Sequence, residues 1–258
     1  MRLMKRILSA AAVLALSASL LVGCSSGTAS SVPVSASSAA ESTVSSVEET
    51  ASSAVDENEA AAAQLLNDLT GSYQELWPVI LADEYQQTWL DDCTALVGEE
   101  NAEAAFEKLS SMVTGDVYGE DAQSRTLPSW TAYFCGFTNS LAILTFDGET
   151  STISGTDKDG NVLFSHTYHY IGMEPVHGLY EFKSDDADSG EFTYFFLAPD
   201  TSAETYHIEF RYGSDAEALS QYDAGEYAYW VASGISTDCD QTMIDNCIEL
   251  FCTENLAG

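Results

Sequence analysis

Residues 192–212 read FTYFFLAPDTSAETYHIEFRY, and this stretch decides the fold. Apolar or aromatic residues stand at every second position near both of its ends. They are Phe192, Tyr194, Phe196, Tyr206, Ile208, Phe210 and Tyr212. A period of two places successive side chains on opposite faces of a strand. The stretch therefore predicts two β-strands, each with one buried face.

The same pattern continues through most of the chain after Trp130. Leu141, Ile143 and Thr145 alternate with their neighbours, and turn-forming residues separate the runs. The turn signals are Asp147-Gly148, Asp159-Gly160-Asn161 and Asp188-Ser189-Gly190. Such residues favour hairpin turns between antiparallel strands. We therefore expect a closed sheet or a sandwich.

Helical patterns flank this β region on both sides. Residues 57 to about 115 are rich in helix formers, and Phe106, Leu109 and Met112 recur at a spacing of three. A start signal at residues 236–238 precedes a second apolar stripe. That stripe consists of Met243, Ile244, Cys247, Ile248 and Phe251. The fold class expected is mainly β, with N-terminal helices and one C-terminal helix.

The N-terminus has the features of an export signal. Residues 1–23 combine early cations with a short apolar run, and Leu21-Val22-Gly23-Cys24 resembles a bacterial lipobox. We expect lipidation at Cys24 and an extracytoplasmic protein that is lipid-anchored to the cell membrane. Residues 24–56 are dominated by Ser, Ala, Thr and Val and predict a disordered tether. The folded domain is then expected over residues 57–258.

The charge of the chain excludes one class of partner and favours another. Eight Lys and Arg residues stand against 41 Asp and Glu, which gives a formal net charge of −33. Binding to nucleic acid requires clustered cations, so nucleic acid is excluded as a partner. A field of this sign attracts divalent metals and basic partners.

Four separated motifs resemble those of the ZinT family of zinc- and cadmium-binding proteins. They are GSYQELWPVI at 71–80, YHYIG at 168–172, FTYFF at 192–196 and GSDAEAL at 213–219. Their order and approximate spacing are kept, and together they span roughly residues 65–252. The resemblance implies a lipocalin-like (calycin) antiparallel β-barrel with flanking helices. It also implies one metal held near the barrel mouth, mainly by three His.

The resemblance identifies the candidate ligands one position at a time. Counted back from Gly213, the family's His-x-His falls on His207 and Glu209, so that a carboxylate replaces the second His. Both side chains are zinc ligands, and residues two apart on a strand share a face. The family's remaining His falls on Phe195, which cannot bind metal.

Three other histidines are candidates for the missing ligand. His169 and His177 are the positions that we assign to the metal site besides the His207–Glu209 pair, and His166 stays open as another. A different interpretation of the strand gives it a buried face and a solvated polar face made of His207, Glu209 and Arg211. On that polar face, Arg211 would oppose a nearby divalent cation.

The sequence therefore predicts a metal-binding protein that captures zinc or a similar divalent ion for uptake or homeostasis. The resemblance implies a zinc ABC-transporter binding protein as a partner. We expect no enzymatic activity, because no catalytic motif occurs, although that absence leaves a secreted hydrolase open. The other alternative is a metal-free barrel that binds a small apolar ligand or a protein.

Five cysteines remain besides Cys24. They are Cys93, Cys135, Cys239, Cys247 and Cys252. Outside the cytoplasm they can form two disulfides with one left over, or stay reduced. Cys247 and Cys252 point in different directions on one helix, which disfavours a bond between them. The pairing is otherwise open.

Overall fold

The computed structural model describes residues 57–125 and 132–257. The predicted signal peptide at 1–23, the lipidation site Cys24 and the tether at 24–56 lie outside the described residues. Within the described ranges, no helix combines the length and the apolar character needed to span a bilayer.

Eight antiparallel strands form a closed barrel. The strands are β1 (Gly71–Glu75), β2 (Ile143–Asp147), β3 (Thr152–Thr156), β4 (Val162–Met173), β5 (Tyr180–Ser184), β6 (Tyr194–Leu197), β7 (Ile208–Gly213) and β8 (Ala232–Ser236). Each strand pairs with the next along the chain, and β8 closes the barrel on β1 through the pair Tyr73 and Ser236. The predicted lipocalin-like antiparallel barrel is confirmed.

Aromatic side chains fill the interior of the barrel. The largest, all buried, are Phe146, Phe182, Phe195, Phe210, Tyr212 and Trp230. An eight-stranded barrel has an interior just wide enough for side chains to fill. The alternation of Ile208, Phe210 and Tyr212 in β7 corresponds to the inward face of the barrel. In β6 the expected set is wrong, because Phe195 and Leu197 lie opposite Tyr212 and Phe210 while Phe196 lies opposite Arg211.

Helices lie before, between and after the strands. A helix α1 runs through residues 57–68. The others are α2 (Leu76–Ile80), α3 (Gln86–Val97), α4 (Glu99–Val113), α5 (Glu120–Gln123), α6 (Ser202–Thr205), α7 (Ala216–Leu219) and α8 (Gln241–Leu256). The predicted N-terminal and C-terminal helices are confirmed. Helix α8 begins after Asp240, whose carboxylate accepts from Met243 N at 2.9 Å, slightly later than the predicted start signal.

One segment of the predicted helical region is a strand instead. Residues 71–75 form β1, which pairs with both β2 and β8 and is needed to close the barrel. Gly71 has a φ of +148°, which favours glycine and allows the chain to leave α1 in a new direction. Tyr73 points into the barrel core. Tertiary pairing here prevails over the helical character of the flanking sequence.

A second hydrophobic core lies outside the barrel wall. It contains Leu76, Trp77, Trp89, Leu109, Ile235, Ile248 and Phe251. Because Ile235 belongs to β8, this core joins the outer face of the barrel to helices α2, α3, α4 and α8. The outer face of β7 and β8 is therefore covered by α8 rather than exposed to solvent.

We predict that Phe210→Ala lowers the free energy of unfolding by about 3–5 kcal/mol, because it leaves a cavity in the aromatic interior. Phe210 is fully buried, and its ring packs against Phe137 with a centroid distance of 5.3 Å. The matched control is Val162→Ala on β4, where the side chain is 71% exposed and a change within about 0.5 kcal/mol is expected. Urea unfolding measures both values. A cost below about 1 kcal/mol for Phe210→Ala would show that the barrel interior is not close-packed.

Candidate functional site

Strand β7 sends its side chains alternately to the two sides of the barrel wall. Ile208, Phe210 and Tyr212 belong to the aromatic core of the barrel. His207 and Glu209 lie on the other side, where their side chains are only 15% and 10% exposed. The interpretation of this face as solvated is therefore wrong. The pair also faces away from the barrel interior, whereas the family resemblance implied a site at the barrel mouth.

The turn before β7 orients the imidazole of His207. Tyr206 has a left-handed φ of +66°, which ends α6 and directs the chain into the strand. Nδ1 of His207 lies 2.7 Å from the carbonyl oxygen of Thr205. A carbonyl can only accept, so Nδ1 carries the proton and donates it. This leaves Nε2 with a lone pair whenever the ring is neutral, which is the usual arrangement of a metal-binding His.

Nε2 of His207 faces the carboxylate of Glu209. The distance between Nε2 and Oε1 is 3.8 Å. Two zinc bonds, to nitrogen and to oxygen, together measure about 4.2 Å. A single ion between these two atoms can therefore bind both without any movement of the strand.

The C-terminal helix adds a third donor next to the pair. Sγ of Cys247 lies 3.9 Å from His207 Nδ1, on the other side of the ring from Glu209. A cavity of about 10 Å³ lies beside these side chains, lined also by Trp77, Phe251 and Glu254. That volume suits one water molecule or one ion and excludes an organic ligand.

The described residues do not form a complete metal centre as they stand. Within residues 57–125 and 132–257, no three His, Cys, Asp or Glu side chains are placed to hold one ion together. His207 and Glu209 meet on one side of the imidazole, while Cys247 lies on the other. A three-ligand site therefore requires Cys247 to change its side-chain rotamer or the imidazole to turn.

The electrostatics of the pair favour a bound cation, either a proton or a metal. Burial by itself lowers the pKa of His207, but the adjacent Cys247 thiol and Glu209 carboxylate outweigh it, and the pKa lies well above the ordinary value of 6.5. Without metal, His207 is thus protonated at neutral pH and pairs with Glu209. A metal ion at Nε2 must displace that proton, so binding releases it.

The carboxylate of Asp200 interacts electrostatically with the same two side chains. Burial and, to a smaller extent, the negative charge of Glu209 raise the pKa of Asp200 to about 6, while His207 opposes the rise. Asp200 lies in the connection between β6 and β7, which also contains α6. Sequence reasoning missed this carboxylate, because no spacing pattern links Asp200 to the strand.

The structure does not bring His169 or His177 to this pair. His169 is half exposed on β4, and its Nδ1 lies 2.6 Å from Asp185 Oδ1. In the barrel order, β4 is three strands from β7, or roughly 14 Å at the usual spacing. His177, between β4 and β5, packs edge-on against Tyr222 with ring centroids 4.0 Å apart, and burial lowers its pKa.

The other sequence candidates also have partners of their own. His166 Nδ1 lies 2.7 Å from Asp186 Oδ2. Phe195, at the position of the missing family ligand, is fully buried in the barrel interior, where it stacks on Phe210. The ligand position that it replaces is therefore on the opposite side of the wall from His207.

Arg211 is fully buried rather than exposed beside the pair. Its guanidinium donates to the carbonyl oxygens of Leu219 and Tyr227 and lies over the ring of Tyr222 at 4.2 Å. Burial lowers the pKa of Arg211, and Tyr222 opposes that shift. The guanidinium is thus engaged by backbone carbonyls and an aromatic face rather than by Glu209.

Comparison with known proteins adds a likeness to two solved structures. No family model matches the chain, and no curated protein matches it. The Zn(II)-bound ZinT-like domain of Streptococcus pneumoniae AdcA is similar at 15% identity and a TM-score of 0.46, over 72% of this chain and 89% of that one. Zn(II)-bound AdcA from the same organism is similar at 14% identity and a TM-score of 0.43, over 70% of this chain. The match spans about a third, 34%, of that longer chain.

We predict a pH dependence of stability that originates at Asp200. Its folded pKa of about 6 exceeds the unfolded value near 3.9, so the folded state holds more protons between these values. The protonated Asp200 carboxyl contributes stability to the folded state below about pH 4, and this contribution is lost as the pH rises to about 6. Allowing for partial exposure, the loss is about 1–2 kcal/mol.

Asp200→Asn removes this loss, and urea unfolding from pH 4 to pH 7 measures it. The control is Asp188→Asn in an exposed loop. In this variant the free energy of unfolding is expected to change with pH as it does in the unchanged protein. The same pH dependence of the unfolding free energy in Asp200→Asn and in the unchanged protein would show that Asp200 is not its source.

Proposed function

We propose that this protein is an extracytoplasmic, lipid-anchored metal-binding protein that captures zinc, or a similar divalent ion such as cadmium, for uptake or homeostasis. The observation that carries the proposal is the covered His207–Glu209 pair. Its Nε2 and Oε1 atoms are 3.8 Å apart, and the hydrogen bond from Nδ1 to Thr205 leaves Nε2 for the metal. The four motifs that resemble the ZinT family support the same function.

The third ligand that we propose is Cys247. Its sulfur is 3.9 Å from Nδ1 of the imidazole, and it reaches an ion at Nε2 when its side chain changes rotamer or the ring turns. Imidazole, carboxylate and thiolate are all good ligands for zinc, and the thiolate also suits softer cadmium. Mg²⁺ and Ca²⁺ prefer sites made of oxygen ligands alone. A site of this composition therefore selects zinc and cadmium over these two ions.

The surface charge supports capture of a cation. A net charge of −33 creates a negative field that raises the local concentration of divalent ions. The same charge is repelled by anionic lipid headgroups, so attachment to a membrane requires an acyl anchor at Cys24. A zinc ABC-transporter binding protein is the partner that we propose to receive the ion.

The alternative of a metal-free barrel that binds a small apolar ligand is less well supported. The barrel interior is occupied by side chains such as Phe195, Phe210 and Trp230, which are fully buried. An apolar ligand inside the barrel would have to displace this packed aromatic core. The absence of enzymatic activity stays a prediction.

We predict that the protein binds one zinc ion with a Kd below about 10 µM, equivalent to roughly 7 kcal/mol. The double variant His207→Ala with Glu209→Ala is expected to weaken binding at least tenfold, and Cys247→Ser about tenfold. Calorimetric titration in about 0.15 M salt measures the affinity while screening weak binding to surface carboxylates. His169→Ala and His177→Ala are the matched controls, and both should keep the original affinity.

The controls separate this site from the wider set of ligands suggested by the sequence. Circular dichroism before each titration verifies that the variants are folded. Zinc affinity that is unchanged in the double variant contradicts the proposal. A loss in His169→Ala or His177→Ala equal to that in the double variant would place the metal elsewhere.

A further inference from the structure

Two buried cysteines face each other between helices α3 and α8. Cys93 lies in α3 and Cys252 in α8, and both are 0% exposed. Their sulfur atoms are 3.9 Å apart, although the residues are 159 positions apart in the chain. The two helices pack together in the core outside the barrel, which holds the thiols in register.

The other described cysteines have different surroundings. Cys247 contacts His207, and the Cys135 thiol donates to the carbonyl oxygen of Tyr133. Cys239 precedes α8 and is only partly buried. The five-residue offset between Cys247 and Cys252 places them on different sides of α8, so that Cys252 faces α3 while Cys247 faces β7.

We propose that Cys93 and Cys252 are a disulfide-forming pair, which links α3 to α8 when the chain folds in contact with a disulfide oxidant. A disulfide has an S–S bond of about 2.05 Å, so the sulfurs must approach each other by about 2 Å. Side-chain rotation at two facing helical positions can supply most of this movement. The helices already provide the close packing that such a bond needs.

The reaction is ordinary thiol–disulfide exchange. The thiolate of one cysteine attacks a sulfur of the oxidant, which forms a mixed disulfide and releases one thiol. The second cysteine then attacks the protein sulfur of that mixed disulfide, forms the bond and releases the second thiol. Two protein thiols and one disulfide thus become one protein disulfide and two thiols, and two electrons pass to the oxidant.

Burial determines when the bond forms. Desolvation raises the pKa of both thiols, so the reactive thiolate is disfavoured in the folded protein. No oxidant can reach sulfurs that are fully covered. The oxidant therefore reacts with one thiol before α8 docks. Docking brings the second thiol to the mixed disulfide, and the finished bond is shielded from reductants by the same core.

The cross-link fastens the helix that covers the His207–Glu209 pair. Cys252 is little more than one turn from Cys247 on α8. A disulfide that closes so long a loop restricts the unfolded chain strongly and keeps α8 on the barrel wall. This inference does not depend on metal binding, since it rests on the packing of α3 against α8.

Peptide mapping of the full chain tests the pair directly. The chain is unfolded and reduced, refolded with reduced and oxidised glutathione, alkylated, and digested with a protease that cleaves after Asp and Glu. Such cleavage releases Cys93 in residues 93–99 and Cys252 in residues 250–254, while Cys247 separates into residues 246–249. The expected product is peptide 93–99 joined to peptide 250–254, lighter than their sum by two hydrogen atoms.

Thermal unfolding gives a second measurement. The chain refolded with the oxidant is expected to unfold at least about 5 °C above the same chain refolded under reducing conditions. Cys252→Ser should abolish this difference, and the matched control Cys239→Ser should retain it. Separately alkylated peptides 93–99 and 250–254, or Cys252 joined to another cysteine, would overturn the proposal even if the variants fold poorly.

Discussion

The structure depends on the contact between helix α8 and the outer wall of the barrel. Ile248 and Phe251 of α8 join Ile235 of β8 in one apolar core, which covers this part of the wall from solvent. His207 and Glu209 are enclosed under the same cover. Burial of an ionised pair is costly unless each charge has a partner, so His207 and Glu209 need a shared cation between them. A proton supplies it, and in the function that we propose a zinc ion takes its place.

The wall encloses two kinds of buried charge and accommodates them differently. Arg211, two residues beyond Glu209, is stabilised by hydrogen bonds to carbonyl oxygens and by the ring of Tyr222. Its charge is satisfied locally and serves to hold the loop around residues 219–227. Glu209 has no comparable set of backbone donors and depends on His207. Arg211 and Glu209, which are neighbouring outward positions on one strand, thus have separate roles. Arg211 is structural, and Glu209 can bind a ligand.

Much of the barrel is predictable from the sequence, because alternation and turn residues report local strand geometry. The exception is β1, where five residues between helical segments become a strand only because β2 and β8 need a partner. Such pairing is non-local and leaves a weak signal in a single sequence. The C-terminal helix is equally well indicated by its apolar stripe, but the stripe does not reveal which surface it covers.

The candidate site is predictable only in part. The family resemblance selects His207 and Glu209, and their two-residue spacing on a strand explains why they meet. Cys247 and Asp200 come near the pair only through tertiary packing, so their positions in the sequence do not predict that they belong to the site. Cys247 also sits among apolar residues on its helix, where a cysteine is usually part of the core.

The central claim is that α8 closes a mixed imidazole, carboxylate and thiolate site over β7. X-ray absorption at the zinc edge of the zinc-loaded protein tests it most directly. We expect one sulfur at about 2.3 Å together with nitrogen and oxygen at about 2.0–2.2 Å, and loss of the sulfur shell in Cys247→Ser. A shell of nitrogen and oxygen alone in the unchanged protein would contradict it.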